Sequence, residues 1–376
     1  MTTDDCLIIG GGVIGLSLAY ELSGRGLRVR VLDRGQPGRQ TSWAGAGIFP
    51  PVGPRSAQAG PMEQLAVLSM QLHPVWAKQL LAESGIDNQF HQCGASHLAI
   101  DPASLENLQT NQQGWNAEQV THQKVAAPEF AEFEPALHTA AGQLVAPAVY
   151  LSGETQLRNP RHLQALTAAC KKRGVQIEQQ VEVTGTSIQG GQIVKVETSA
   201  GDRSARQYCL TSGASSGGLA SNFQCSLAVK PIRGQIVLLR NVAPMLRHVT
   251  YVGRHYFVPR QDGHVLVGST LEDVGFRPYP TPAGVRDLLD FMMRVAPAWS
   301  DCEIETLWAG LRPGTADGLP YIGRVPGLEN AFVATGHYRS GLYLSTGTAL
   351  VMSRLLMNEM PLMDLHAFRL DREPHG

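Results

Sequence analysis

A glycine-rich turn near the start of the sequence constrains the fold more than any other feature. The apolar segment Cys6–Ile9 leads directly into Gly10-Gly11-Gly12-Val13-Ile14-Gly15, and an apolar-periodic helix is predicted to follow from Val13 to about Gly24. In such a turn the first glycine allows the tight bend, the second lets a phosphate approach the backbone, and the third lets the helix lie close to the strand. The pattern predicts a βαβ unit that binds a dinucleotide.

A second apolar strand supports this interpretation. Val29–Leu32 ends in Asp33, about 20 residues beyond the glycines, where a carboxylate usually binds the ribose hydroxyls of the dinucleotide. A bound dinucleotide implies redox chemistry. The turn by itself does not decide between FAD and NAD, because both cofactors use this unit.

Composition excludes several classes of protein. The 376 residues are 43% hydrophobic and 17% charged with a net charge of −1, which indicates a globular protein of two domains with no nucleic-acid partner. The apolar stretches are too short to cross a bilayer, and the acidic segment Met1–Asp5 is unlike a secretory signal. We therefore expect a cytoplasmic protein with no membrane partner.

The cysteines predict neither disulfides nor a metal site. The six lie scattered, with no Cys-x-x-Cys pair, as expected of small buried hydrophobic residues in a reducing compartment. His91 and Cys93 are only two potential ligands, which is too few for a metal.

Further segments extend the predicted cofactor site. Small residues dominate Thr41–Ile48, which either lets a flat ring approach the backbone or forms a flexible surface loop. Tyr208–Thr211 reads as a strand that runs into a second small-residue turn, Ser212–Ser215. The predicted helices are Pro61–Ser84, a segment near Ala103–Gly114, Pro160–Arg173, Pro282–Val295 and about Leu342–Asn358. The predicted strands are Val175–Val183, Ile193–Thr198, Val229–Leu239, Tyr256–Pro259, Val265–Gly268 and Ala331–Ala334, and several of them suggest an antiparallel sheet.

The order of these motifs resembles the D-amino-acid-oxidase-like FAD flavoproteins, above all their glycine-oxidising branch, which serves thiazole formation in thiamine biosynthesis. The matching stretches are Gly10–Gly15, Thr41–Phe49, Tyr256–Arg260, Trp308–Gly323, Gly336–Gly347 and His366–Arg372. The resemblance implies an α/β plus α+β fold, in which a Rossmann-type FAD-binding domain is interleaved with an antiparallel-sheet substrate domain. We expect residues 1–85, 141–220 and 303–376 in the first domain, and residues 86–140 and 221–302 in the second.

The same resemblance implies the activity. It is FAD-dependent oxidative deamination of glycine and related small amines or D-amino acids, with hydride transfer to flavin and O2 as acceptor. The products are an imine, then glyoxylate and ammonia, and hydrogen peroxide. Two alternatives stay open: a D-amino-acid dehydrogenase that passes electrons to a quinone, and a non-catalytic flavoprotein. A homo-oligomer and a hand-off of the imine to thiazole synthase are expected; the preference among glycine, sarcosine and D-alanine is open.

The predicted substrate contacts are Arg312, Tyr256 and Arg339. A guanidinium matches a carboxylate with two parallel hydrogen bonds, which suits Arg312. The predicted cofactor contacts, from the glycine turns and the resemblance together, are Gly10, Gly12, Val13, Ile14, Gly15, Asp33, Arg34, Thr41, Ser42, Gly45, Ala46, Gly47, Val183, Gly213, His337, Tyr338, Arg339, Ser340, Gly341, Leu342 and Tyr343.

No side chain is assigned to acid–base catalysis, because hydride transfer from a neutral amine needs none; His337 is interpreted as part of a turn beside the flavin. Gly341 is predicted to open the final helix, whose positive end would favour the anionic reduced flavin. Arg254 and Ile48 stand where relatives can carry His and Met. We therefore expect the pocket to differ from theirs, at the rim in the case of Arg254, which leaves the fine substrate preference open. The segment Gly310–Pro313 lacks the cysteine that tethers flavin in some relatives, which predicts non-covalent FAD.

Overall fold

The computed structural model describes residues 4–54, 56 and 59–372. Residues 1–3, part of the segment judged unlike a secretory signal, lie outside this range, as does the end of the predicted 303–376 segment. The strands are β1 (Asp4–Ile9), β2 (Val29–Asp33), β3 (Ile48–Phe49), β4 (His91–Gln92), β5 (Ala95–Leu98), β6 (Gln123–Val125), β7 (Ala148–Leu151), β8 (Thr155–Gln156), β9 (Gln176–Gln179), β10 (Val183–Gln189), β11 (Gln192–Thr198), β12 (Ala205–Leu210), β13 (Val229–Arg240), β14 (Val249–Val252), β15 (His255–Pro259), β16 (Val265–Gly268), β17 (Glu303–Thr315), β18 (Tyr321–Arg324) and β19 (Ala331–Thr335).

The helices begin mainly after turns rich in glycine or proline, as the sequence predicts. They are α1 (Val13–Gly24), α2 (Thr41–Ala44), α3 (Pro61–Ser84), α4 (Pro102–Ala117), α5 (Ala127–Phe133), α6 (His138–Ala141), α7 (Asn159–Lys172), α8 (Ser216–Leu219), α9 (Pro282–Val295) and α10 (Ser345–Leu356), with 3₁₀ turns at Pro135–Leu137, Gly213–Ser215, Ala220–Phe223, Pro297–Trp299 and His366–Phe368.

Two large sheets organise the molecule. One has six strands in the order β18-β19-β12-β1-β2-β9 and is parallel except for β18. The other has eight strands in the order β17-β13-β16-β15-β14-β5-β7-β6 and is antiparallel except where β14 meets β5. This mixture of a parallel and an antiparallel sheet confirms the predicted fold class. The domain limits remain a proposal; β7 and β17, from segments 141–220 and 303–376, lie in the eight-stranded sheet.

The six-stranded sheet is buried on both faces. Residues on one face, such as Ile8, pack with α1, α3, α7 and α10, and residues on the other, such as Leu7 and Tyr208, pack with the β10–β11 hairpin. The eight-stranded sheet buries Val237 and Phe257 against α9. Because side chains alternate along a strand, Ile236 and Tyr256 point to the opposite face. That face turns toward the carboxyl ends of the parallel strands, and the functional cavity lies between them.

Two predicted elements are corrected. The strand predicted over Val175–Val183 is broken after β9, because Gln180 has a left-handed backbone (φ +58°) that ends the extended chain. The final helix begins at Ser345 rather than Gly341. Residues 341–344 form a turn instead, closed by a hydrogen bond from Leu344 N to Ser340 O of 2.8 Å. The positive end of α10 is therefore four residues farther along the chain than predicted.

Candidate active site

A cavity of about 870 Å³ opens between the two sheets. All the predicted site residues line it except Gly15. They include residues from the first glycine turn, the 41–47 loop, the second small-residue turn, β17 and the 336–343 loop. The structure thus brings together segments that are more than 300 residues apart in the sequence.

The three glycines of the first turn have separate roles. Gly10 has φ +113°, and a Cβ there would lie 2.7 Å from the Thr211 backbone, so β1 and the segment after β12 require a glycine. A Cβ on Gly15 would lie 2.0 Å from the Gly10 carbonyl oxygen, so only a glycine lets α1 pack this closely against the end of β1. Gly15 faces this contact and does not line the cavity. A Cβ on Gly12 would meet only Ser42 Oγ, at 3.3 Å. Of the three, Gly12 is the one whose missing side chain leaves room for a ligand.

Hydrogen bonds hold this turn in position. Asp33 Oδ2 accepts from Gly11 N and Asp33 Oδ1 from Gly35 N, both at 2.8 Å. Ser42 Oγ accepts from Val13 N at 2.9 Å. Each carboxylate oxygen has a further lone pair, so Asp33 can brace the turn and still accept from a ribose hydroxyl.

The small-residue loop at 41–47 is held on several sides, which favours a cofactor-binding loop over a flexible surface one. Thr41 Oγ1 donates to Leu311 O at 2.6 Å, and Trp308 Nε1 donates to Ala44 O at 3.0 Å, so both contacts reach β17. Arg260 Nη2 donates to Ala46 O at 2.6 Å. Asn159 Nδ2 donates to Ser42 O at 2.9 Å.

Arg312 is a partly buried cation that lines the cavity. Its Nη1 donates to Arg233 O and Thr270 O at 3.2 Å, and its Nη2 donates to Ser269 Oγ at 2.7 Å. These acceptors are neutral, and within the described residues no carboxylate forms an ion pair with Arg312. Three of the five guanidinium donors are used, so Nε–H and one Nη2–H remain. Burial lowers the pKa of Arg312, and the nearby Arg339 adds to this effect.

Two glycines make room for the substrate-facing side chains. A Cβ on Gly234 would lie 2.1 Å from Arg312 Nη2, so the guanidinium lies directly over that residue of β13. A Cβ on Gly268 would lie 2.5 Å from the Tyr256 ring. Register places Tyr256 opposite Gly268 on one side and opposite Tyr251 on the other, so these residues share the cavity face of the sheet.

The loop after β19 brings Arg339 to the same place. Tyr338 N donates to Pro313 O at 3.0 Å, which fixes the loop against β17. Arg339 is exposed, and among the described residues its guanidinium has no hydrogen-bond partner. Arg312 and Arg339 therefore put two cations at one end of the cavity.

His337 is buried beside this loop and is suited to a structural role. It is 3% exposed, its Nε2 lies 3.1 Å from Thr348 Oγ1, and burial lowers its pKa to about 3. The imidazole is therefore neutral at pH 7 and already hydrogen-bonded.

Sequence reasoning missed several residues of the site, among them Glu154, Asn159, Arg260 and Gly234. Glu154 and Asn159 line the cavity, Arg260 supports the 41–47 loop, and Gly234 accommodates Arg312. Gly234 carried a signal, since a glycine inside a long strand often marks close approach of another group. The other three stand in turns or at an element end and show their roles only once the chain is folded.

The cavity fits a flavin dinucleotide. The glycine turn leaves space at Gly12, and the beginning of α1 faces the cavity with Val13 and Ile14. Asn159 Oδ1 is buried with no hydrogen-bond partner among the described residues, which leaves an acceptor for a donor on a ligand.

The described residues form neither a metal centre nor a membrane-spanning helix. Over 4–54, 56 and 59–372, no three His, Cys, Asp or Glu side chains meet in a way that would hold a metal ion. In the same part of the chain, no helix has both the length and the apolar character of a membrane span.

The fold and the cavity together define a flavin-type dinucleotide-binding oxidoreductase. The family model described as FAD dependent oxidoreductase matches residues 5–355, and the chain belongs to this family. It is 36% identical over 361 residues to the glycine oxidase of Pseudomonas aeruginosa, covering 95% of this chain and 96% of that protein. The crystal structure of glycine oxidase from Geobacillus kaustophilus matches with a TM-score of 0.91 and 31% identity, covering 99% of this chain and 100% of that one. The chain is also 33% identical to the bifunctional protein ThiO/ThiG of Synechocystis, with 99% of this chain aligned to 54% of that longer protein.

Proposed function

We propose that this protein is a glycine oxidase, which oxidises glycine and related small amines or D-amino acids for the thiazole moiety of thiamine. The observation that carries the proposal is Arg312, a partly buried cation with neutral partners and two unused donors. Burial of a charge without a counter-ion is costly, so the site is built for an anionic ligand group. The names of the relatives support glycine as the substrate.

The cavity residues position such a substrate. The two unused N–H groups of Arg312 can bind one carboxylate, Arg339 can add a second contact, and the Tyr256 hydroxyl can close over it. The cavity face of the sheet, with Ile236 and Tyr256, holds the α-carbon in apolar surroundings. The carboxylate is thus fixed at one end while the amino group and α-carbon extend into the cavity.

FAD would be held by the glycine turn, Asp33, Arg34 and the 41–47 and 336–343 loops. No cysteine lines the described part of the cavity, which leaves no thiol for a cysteine tether and supports the proposal that FAD is bound non-covalently. When bound, FAD supplies the hydride acceptor and passes the electrons to O2, which yields hydrogen peroxide. The substrate loses a hydride from its α-carbon and becomes an imine, which water converts to glyoxylate and ammonia.

The ThiO/ThiG relatives support a partner as well. In those proteins the matched segment is about half of a longer chain. We propose that the imine passes to a thiazole synthase, and that the protein works as a homo-oligomer.

The test is a screen of the FAD-loaded protein with glycine, sarcosine, D-alanine and longer D-amino acids. Oxygen consumption, hydrogen peroxide and glyoxylate are measured together. We expect one peroxide for each oxygen consumed with glycine. Reduction of a quinone without oxygen consumption would favour the dehydrogenase alternative, and no flavin reduction by any amine would reject the proposal.

A further inference from the structure

Glu154 is a buried carboxyl group that the proposed mechanism above does not use. It stands in the turn between β7 and β8, is 1% exposed and lines the cavity. The other acids among the described cavity residues are Asp33 and Glu182, which lie at the nucleotide end. Among the described residues no lysine or arginine forms an ion pair with Glu154. It is the one carboxyl group that the described part of the substrate end offers.

Tyr251 holds this carboxyl group. The Tyr251 hydroxyl donates to Glu154 Oε1 at 2.6 Å. The Tyr251 ring stacks on His97, with centroids 4.4 Å apart and planes 13° apart, and lies 6.2 Å from the Tyr256 ring. The turn itself is fixed, since Glu154 O accepts from Cys93 N at 2.9 Å. The pair is thus held on both sides and adjoins Tyr256, the tyrosine predicted to contact the substrate.

The proposed substrate needs a proton acceptor at this end. An amino acid enters mainly as a zwitterion, and its ammonium group must lose a proton before the α-carbon can release a hydride. Arg312 and Arg339 bind the carboxylate but accept no proton. His337 is already bonded to Thr348 and is neutral.

We propose that Glu154 accepts the proton that the substrate ammonium group loses, with the Tyr251 hydroxyl as the relay between them; this rests on the proposed function. The ammonium N–H bond breaks and an O–H bond forms on Tyr251 Oη. At the same time the original Tyr251 proton moves to Glu154 Oε1. One proton is transferred, no atom changes oxidation state, and a neutral amine and a neutral carboxylic acid result.

The electrostatics suit this transfer. Burial raises the pKa of Glu154 to about 8, and the hydrogen bond from Tyr251 opposes the rise. The neighbouring titratable groups are neutral at pH 7: burial raises the pKa of Cys93 to about 12, raises those of Tyr251 and Tyr343, and lowers that of His97 to about 3. The carboxyl group can therefore gain and lose a proton near neutral pH.

The test uses FAD-loaded Glu154→Gln, Tyr251→Phe and the double variant. Flavin reduction by glycine is followed without oxygen over a range of pH. In the wild type we expect the rate to rise with pH as Glu154 ionises. Each single variant slows at pH 7 by about 10²-fold, in the range of general-base effects. Its rate no longer follows the ionisation of Glu154 and instead keeps rising to higher pH, because only substrate that has already lost its proton in solution then reacts. The double variant is no slower than either single variant, because both changes break one relay.

Glu118→Gln is the matched control. The charge of Glu118, like that of Glu154, raises the pKa of Tyr343. Glu118 is exposed and lies outside the cavity lining, so its variant should keep the wild-type rate and pH profile. Acetate, which has no amino group, should bind the Glu154 and Tyr251 variants as tightly as the wild type, read from the flavin spectrum. If Glu154→Gln loses flavin, Tyr251→Phe still tests the relay.

Unchanged pH profiles in the variants of an active enzyme, or additive losses in the double variant, would overturn the relay while leaving the proposed function standing. A wild type that no amine reduces would instead reject the proposed function itself.

Discussion

The two ends of the cavity are built by different means. At the nucleotide end the structure relies on backbone: the ends of parallel strands, a turn in which a Cβ added to Gly10 or Gly15 would lie 2.0–2.8 Å from other backbone, and short side chains such as Ser42. At the substrate end it relies on long side chains, Arg312, Tyr256, Tyr251 and Glu154, that come from separate strands and turns. A backbone site can keep its cofactor through many changes of side chain, whereas a side-chain site can change its substrate through single substitutions.

The largest effect should come from Arg312→Ala, which breaks only the substrate end. Removal of this partly buried charge with its hydrogen bonds should lower kcat/KM for glycine by on the order of 10³-fold. FAD should remain bound, because the nucleotide end is built from other residues. Steady-state kinetics and the flavin spectrum of the purified variant check both expectations.

The control for Arg312→Ala is Arg240→Ala, on the exposed end of the adjacent strand, where the ion pair with Glu303 is on the surface. It should leave the kinetics unchanged. Loss of FAD from Arg312→Ala would show that the two ends are not independent, and an unchanged kcat/KM would remove the carboxylate assignment.

A smaller effect should separate two glycines at the nucleotide end. In Gly15→Ala the new Cβ meets a backbone oxygen that cannot move cheaply, which should lower the free energy of unfolding by about 1–3 kcal/mol. In Gly12→Ala the Cβ meets only Ser42 Oγ, so the apoprotein should keep its stability while its affinity for FAD falls. Thermal unfolding of the apoproteins and FAD titration distinguish the two.

Gly114→Ala, on α4 with no heavy atom within 4 Å of the added Cβ, is the matched control: it should raise the free energy of unfolding by up to about 1 kcal/mol, because alanine favours a helix, and leave the affinity for FAD unchanged. Equal FAD affinity in Gly12→Ala and the wild type would contradict the assignment of that position to the phosphates.

The smallest effect concerns pH. Burial lowers the pKa of His97, at the substrate end, to about 3, against 6.5 when unfolded. Below pH 6.5 the unfolded chain therefore binds more protons than the folded one, and stability falls as pH falls. Between pH 6.5 and 5 this histidine should cost about 2 kcal/mol.

His97→Phe keeps a ring against Tyr251 and removes the titration, so its free energy of unfolding should depend less on acid than that of the wild type. Denaturant unfolding at a series of pH values measures the difference. Identical acid dependence in both proteins would show that His97 is not buried in its neutral form.

The nucleotide end could be predicted from the sequence more fully than the substrate end. The glycine turn and Asp33 were predictable because their chemistry is local: strand, turn and helix follow one another within about 25 residues of sequence. The motif around Arg312 predicted its role, but not its hydrogen-bond partners. Ser269 and Thr270 reach it only because strands that are distant in the sequence pair in the eight-stranded sheet. Glu154 had no local signature, since its role depends on a register that places Tyr251 beside Tyr256.

The two misplaced boundaries also have a physical cause. Both lie next to the cavity, where the chain leaves regular structure: at Gln180 through a left-handed residue, and at 341–344 through a turn. Local propensity favours a continued strand or helix there, and tertiary contacts override it.

Strand β17 has a consequence for catalytic precision. The Leu311 carbonyl oxygen binds the 41–47 loop through Thr41, and the very next residue is Arg312. Consecutive Cα atoms are about 3.8 Å apart whatever the motion of the surrounding protein. Only one peptide unit therefore separates the residue that binds the cofactor loop from the residue predicted to bind the substrate carboxylate. When thermal motion displaces one sheet relative to the other, the loop and Arg312 should move together.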